Sequence, residues 1–164
     1  MVLALVAGCA SNGLAPVGNV QRPAPDFSLP ALNGGQIELA KFRGKVVVLD
    51  FWATWCTGCL EALPHLQSIA SDADMAQRGL VMLAVNEEEK PQIIRPLVDG
   101  MHFTLNIARD ADGSEGRAYS VFSLPTTIVV GRDGMVKAVI NGWAAGTARQ
   151  IDEAVSRALA APIR

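Results

Sequence analysis

An α/β fold, with a central mixed β-sheet covered by helices, is the architecture this sequence predicts, and three observations carry it. The run Val46-Val47-Val48-Leu49-Asp50-Phe51-Trp52 is apolar almost throughout and rich in β-branched residues, which suits a strand buried on both faces. Downstream, apolar strands alternate with stretches of helical periodicity, the mark of βα units. Near the end, Arg132-Asp133-Gly134 separates two β-like runs and reads as the turn of an antiparallel hairpin. Parallel units joined to an antiparallel hairpin make the sheet a mixed one.

The 164 residues suit one domain with a sizeable core. Half of them are apolar and 18% are charged, which excludes disorder of the whole chain. A formal net charge of −2 gives no basic footprint, so no nucleic-acid partner is expected. No apolar run reaches the ~18–20 residues that a membrane-spanning helix needs.

Taken in order, residues 9–22 are small, contain Gly, Asn and Pro, and lack periodicity, so they read as a tether; residues 23–164 form the domain. Pro25-Asp26-Phe27-Ser28-Leu29-Pro30 enters it with alternating apolar residues. Asn33-Gly34-Gly35 is a hairpin signal and Gln36-Ile37-Glu38-Leu39 the returning strand. Arg43-Gly44-Lys45 turns into the central strand. A helix is expected from Thr57 to Ser71, with Leu60, Leu63, Leu66 and Ile69 on its apolar stripe and Pro64 kinking it. Leu80 to Val85 is a strand. A short helix follows on Ile93, Ile94, Leu97 and Val98, then a strand near His102 to Ile107 and a helical turn near Ser114 to Val121. Leu124 to Val130 and Met135 to Ile140 form the hairpin. Thr147-Ala148-Arg149-Gln150 reads as a capping box opening a last helix. The expected order is β–β–β–α–β–α–β–α–β–β–α.

Chemistry concentrates where the central strand hands over to the first long helix. Cys56 and Cys59 stand at i and i+3, close enough to close a small disulfide ring. Cys56 meets the unpaired N–H groups and positive dipole end of the helix, which favour a thiolate below the usual thiol value of ~8.5. A permanent staple is the plainer alternative, but so small a ring restrains the unfolded chain little. Half of a zinc site is another, yet no second paired Cys/His motif accompanies it, so no metal is assigned. Asp50 is an acid within an apolar strand, costly to bury unless paired, or else a strand-end group reaching water.

These residues carry a resemblance. Phe51-Trp52-Ala53-Thr54-Trp55-Cys56-Thr57-Gly58-Cys59, Pro64 and Leu124-Pro125-Thr126 together look like the thioredoxin fold. The front part, Pro25-Asp26-Phe27 through Gly34-Gly35 to Gly44-Lys45, is similar to the TlpA/ResA-like branch of bacterial extracytoplasmic thioredoxins, with its N-terminal β-hairpin extension. The resemblance covers about Pro25 to Leu159. It implies that Cys56 is the nucleophile and Cys59 the resolving thiol, that Pro125 is cis and faces them, and that Asp50 assists proton transfer beneath the site. It implies a role near the cysteines for Glu89, although Glu87-Glu88-Glu89 run together and a first helical turn welcomes acids anyway. Leu124, before the proline, would offer backbone groups to an extended substrate, and Trp55, Thr57 and Gly58 would border it. The Thr57-Gly58 pair departs from the family, whose members more often place proline before the second cysteine.

Val6-Ala7-Gly8-Cys9 resembles the bacterial lipobox, in which the cysteine becomes lipidated; residues 1–8 then read as a truncated signal peptide, since the apolar run has no Lys or Arg before it and eight residues are too few for a whole one. An ordinary apolar N-terminus with a chance cysteine is the alternative. Ala10-Ser11 after the anchor, without aspartate, points to the outer membrane on the periplasmic side of the envelope.

Together the resemblances imply a lipid-anchored thiol–disulfide oxidoreductase acting on dithiols or disulfides of exported proteins. Reduction of disulfides in apocytochrome c or in metal-site proteins would be its work, with electrons from a membrane thiol carrier and no bound cofactor. A disulfide oxidant or isomerase of the same fold, a peroxidase of the related peroxiredoxin class, and a copper carrier using Cys56 and Cys59 are the rival readings.

Overall fold

The computed structural model describes residues 21–162; the expectations for Cys9, for residues 1–8 and for most of the tether lie outside the described residues. The strands are β1 (Arg22–Pro23), β2 (Ser28–Pro30), β3 (Gln36–Glu38), β4 (Val46–Trp52), β5 (Leu80–Glu87), β6 (Asn106–Asp110), β7 (Thr126–Val130) and β8 (Met135–Asn141). The helices are α1 (Thr57–Ala70), α2 (Ala73–Gln77), α3 (Pro91–Gly100), α4 (Ser114–Ala118) and α5 (Thr147–Ala160).

A six-stranded sheet runs β1-β8-β7-β4-β5-β6, and β2 with β3 forms a separate antiparallel ribbon. β4 pairs parallel with β5 and antiparallel with β7, so the mixed sheet changes sense at its centre. Every residue of β4 is buried, as its unbroken apolar run requires. Alternation sends Val46, Val48 and Trp52 into one cluster with α1, α3 and α5, and Val47, Leu49 and Phe51 into another with Phe27, Leu29, Leu39 and Tyr119. The β2–β3 ribbon therefore belongs to the core, and Leu32 N–H bonding to the Ile107 carbonyl at 2.9 Å ties its turn to the sheet edge.

Several elements differ from expectation for local physical reasons. Arg22, expected to end the tether, is already in β1 opposite Val136, and its guanidinium donates to the Tyr119 carbonyl at 2.7 Å. The strand expected from His102 begins at Asn106, because His102 takes a left-handed turn (φ 54°) and ends α3 with its N–H on Asp99 and that of Phe103 on Val98. The pattern did not show α2, a single short helix capped by Asp72 accepting from Met75 N–H at 2.9 Å. The capping box is not made: Gly146 (φ 93°) is the N-cap of α5, and the Thr147 hydroxyl accepts from Ala144 N–H instead. α1 runs through Pro64 without a break.

Candidate active site

β4 ends at Trp52, and residues 53–56 turn the chain so that α1 starts over the end of the sheet. Cys56 is the N-cap of α1, with extended backbone (φ −86°, ψ 102°), and its sulfur accepts from Cys59 N–H at 3.2 Å. A sulfur is thus the capping acceptor that Ser or Asp supplies elsewhere, and a thiolate there meets both that donor and the helix dipole. Cys56 and Cys59 are joined by a disulfide with Cα atoms 5.2 Å apart. They are unequal partners: Cys56 is 6% exposed and Cys59 is fully buried, so an incoming group meets Cys56 first.

Pro125 faces this pair. The Leu124–Pro125 bond is cis, and a Cβ built on Gly58 would lie 3.4 Å from Pro125 Cδ and 3.6 Å from Trp143 Cβ. Gly58 has ordinary helical backbone, so its smallness serves the approach of the Pro125 ring rather than a special turn. Thr57, first residue of α1, is exposed beside it; Leu124 is half-buried and packs against both core clusters. Trp55 stands 73% exposed next to Cys56, whereas Trp52 is fully buried with no partner for its Nε1. Trp143 covers the site from the loop before α5 and packs on the ring of His65, whose Nε2 lies 3.0 Å from Asp152 Oδ1.

Asp50 lies on the same face of β4 as Val48 and Trp52, the face that carries the cluster containing both cysteines. It is fully buried; Oδ1 accepts from the Thr127 hydroxyl at 2.8 Å and Oδ2 has no partner. Burial pushes its carboxyl up to about 7, against the lowering effect of the Thr127 hydroxyl. Of the two alternatives for Asp50, the one reaching water is excluded.

The register of the three glutamates is settled by geometry. Glu87 ends β5; Glu88 takes left-handed backbone (φ 57°) with its N–H on the Asp110 carbonyl; Glu89 turns back towards the loop before Cys56. Its Oε2 accepts from Thr54 N–H at 2.8 Å and from Asn86 Nδ2 at 2.7 Å, and its Oε1 accepts from the Thr54 hydroxyl.

The structure thus brings Cys56, Cys59, Gly58 and Pro125 together at the N-terminal end of α1, with Trp55, Thr57 and Leu124 next to them in the chain, Glu89 bonded to Thr54 two residues before Cys56, and Asp50 on the face of β4 that carries the cysteine cluster. Sequence reasoning missed Thr54, Asn86 and Thr127, the hydrogen-bonding partners of the two acids, and the part played by Trp143. Thr54 stands within the cysteine motif and Asn86 just before the three glutamates, but nothing local reveals which acid they serve. Among the described residues no group of three or more His, Cys, Asp or Glu side chains is placed to hold a metal ion.

Comparison with known proteins agrees with this geometry. Residues 20–139 match the AhpC/TSA family. The thiol–disulfide oxidoreductase ResA of Geobacillus kaustophilus is 34% identical over 119 residues, covering 73% of this chain and 67% of that protein. Among solved structures, a putative thiol:disulfide interchange protein DsbE from Chlorobium tepidum superposes with a TM-score of 0.79 at 28% identity, covering 85% of this chain and 97% of that one. The exposed lipoprotein thioredoxin Etrx1 of Streptococcus pneumoniae gives 0.71 at 27% identity, covering 81% and 99%. The chain belongs to the AhpC/TSA family and, within it, is a thioredoxin-fold thiol–disulfide oxidoreductase of the ResA kind.

Proposed function

We propose that this oxidoreductase works as a reductase of disulfides in exported proteins, held on the extracytoplasmic side of the envelope by a lipid on Cys9. The observation that carries the chemistry is the unequal cysteine pair, with Cys56 as sulfur N-cap of α1 and Cys59 sealed behind it. In the reduced protein the Cys56 thiolate attacks one sulfur of a substrate disulfide. A Cys56–substrate disulfide forms, and the other substrate sulfur leaves as a thiolate and takes a proton. Cys59 loses its proton, with Asp50 as the acceptor on that side of the sheet, and its thiolate attacks Cys56 Sγ. The second substrate thiol is released and the Cys56–Cys59 disulfide remains, so two electrons and two protons have passed to the substrate. A dithiol carrier in the membrane restores the reduced pair by the same exchange in reverse; no bound cofactor takes part.

Glu89 holds Thr54, and with it the turn that presents Cys56, while the backbone at Leu124 and the side chains of Trp55 and Thr57 border the incoming segment. Disulfides of apocytochrome c or of metal-site proteins are the proposed substrates, a choice that follows the TlpA/ResA-like motif set. The lipid anchor follows the Val6-Ala7-Gly8-Cys9 pattern and is in keeping with a structural neighbour described as an exposed lipoprotein.

The direction is tested by equilibrating the Cys56–Cys59 pair against glutathione and dithiothreitol. A potential near that of thioredoxin, about −270 mV, supports a reductase, and one near that of DsbA, about −120 mV, makes the protein an oxidant. In cells, Cys59→Ala is expected to accumulate mixed disulfides through Cys56, and absence of any trapped species refutes the exchange mechanism.

A further inference from the structure

The loop that delivers Pro125 carries a side chain that the exchange chemistry does not use. In Val121-Phe122-Ser123-Leu124, Val121 and Leu124 pack against the core, while Phe122 between them is 93% exposed. The loop is fastened at both ends. At its start, Ser120 takes left-handed backbone (φ 61°), with its N–H on the Arg117 carbonyl at 3.0 Å and that of Val121 on Gly116 at 2.8 Å, which closes α4. At its end, the Thr126 hydroxyl lies 2.7 Å from the Ser123 carbonyl and 2.9 Å from Asn141 Oδ1, and Gly142 N–H donates to the Pro125 carbonyl at 2.7 Å. A phenylalanine held out in water on a pinned loop gains nothing for folding, whereas its loop is already ordered for binding.

Its place says what it meets. Three residues of chain reach at most about 11 Å, so Phe122 lies within one short stretch of Pro125, whose ring stands against Gly58 between the two cysteines. We propose that Phe122 is a specificity residue: it docks a large apolar side chain carried by the extended substrate segment a few residues from its reacting cysteine. The occupant is a segment of the substrate protein, because the loop that carries Phe122 also delivers the cis Leu124–Pro125 bond against Gly58, beside the cysteines that must receive the substrate. This inference rests on the exchange reading above and deepens it by naming the substrate class, disulfides flanked by apolar residues.

The test uses the reduced protein and three disulfides: a peptide disulfide with leucine near the cysteine, the same peptide with asparagine there, and hydroxyethyl disulfide. Rates are read by quenched alkylation of the released thiols. Phe122→Ser is expected to slow reduction of the leucine peptide about tenfold through KM, and to shift the asparagine peptide and hydroxyethyl disulfide by less than about twofold. Phe122→Leu is expected to recover most of the loss. An equal loss on all three means a structural effect and overturns the proposal, and so does no loss on any. If sedimentation shows Phe122→Ser splitting a dimer while peptide discrimination is unchanged, the loop serves a second copy and the proposal fails. If the unsubstituted protein reduces none of the three, the exchange reading itself falls.

Discussion

The Glu89 carboxylate takes both the backbone N–H and the hydroxyl of Thr54, across 35 positions of sequence and two residues before Cys56. The turn joining β4 to α1 has few bonds of its own; Cys56 N–H on the Ala53 carbonyl at 3.2 Å is one of them. Glu89 therefore fixes from outside what the turn does not fix by itself, and the Asn86 amide steadies Glu89 in turn.

Removing this acceptor leaves the partly buried Thr54 N–H and hydroxyl without a partner. Glu89→Ala is expected to cost about 1–3 kcal/mol in urea unfolding. Thr54→Val, which keeps the backbone donor, is expected to cost less. Because the two changes remove overlapping bonds, the double variant should fall short of their sum. Additive losses in a double-mutant cycle would show the contact to be energetically idle. Exchange rate should fall alongside stability, since the position of Cys56 depends on this turn.

Asp50 makes stability depend on pH in a direction that can be worked out. Its folded-state value of about 7 lies above the ordinary 3.8, so the folded protein keeps a proton that the unfolded chain gives up. Stability from this group is fully present below about pH 4, is lost as pH rises towards 7, and is flat beyond, a change on the order of a few kcal/mol. Glu87, also pushed up to about 7 by burial and then by Asp110 and Glu88, adds a slope of the same sign. Urea midpoints at pH 5 and pH 8 should therefore differ. Asp50→Asn, which keeps an acceptor for Thr127, should shrink the difference and stabilise the protein at pH 8. The same variant should slow release of the second substrate thiol, where Cys59 must lose its proton. A pH dependence identical to that of the unsubstituted protein would remove Asp50 from both roles.

What the sequence shows of this molecule is what is local. β4 could be placed because seven residues in a row are buried, and the cysteines because strand, turn and helix follow each other without interruption. Pro125 could be paired with them only through resemblance, since no local signal crosses from residue 125 to residue 58. Thr127 as partner of Asp50 depends on the antiparallel register of β7 against β4, which is a tertiary fact. Among three consecutive glutamates, Glu89 is picked out by the left-handed backbone of Glu88, and glutamate carries no sequence sign of that conformation. Likewise, nothing around Thr57-Gly58 shows that Gly58 leaves space for Pro125 and Trp143, which come from far along the chain.

That space has measurable limits. A Cβ at Gly58 would stand at ordinary contact distance from Pro125 and Trp143, in a helical backbone that alanine adopts freely. Gly58→Ala is expected to stabilise the protein by about 0.5–1 kcal/mol, through helix propensity and a less free unfolded chain. That is a rise of about 1–4 °C in Tm for a domain of this size. Gly58→Leu adds atoms beyond Cβ beside Pro125 and Trp143, and is expected to lower Tm and slow exchange together. A Tm loss for Gly58→Ala would show that the contact with the Pro125 ring is tighter than 3.4 Å implies.

Ser120 controls how the loop bearing Phe122 leaves α4. It holds φ at 61° with an ordinary side chain, where a Cβ costs roughly 1 kcal/mol relative to glycine. Ser120→Gly is therefore expected to raise stability by up to about 1 kcal/mol and leave exchange unchanged, since both cap bonds come from backbone N–H groups. Ser120→Val places a β-branched residue in the same conformation and should cost about 1–2 kcal/mol, because the αL region is a strained one for that side chain. If the loop stays fastened at Thr126 and Ser123, Ser120→Val should weaken protein substrates more than hydroxyethyl disulfide, as the start of the loop shifts and the cysteines do not. Equal Tm values for the glycine and valine variants would show that α4 ends differently in solution.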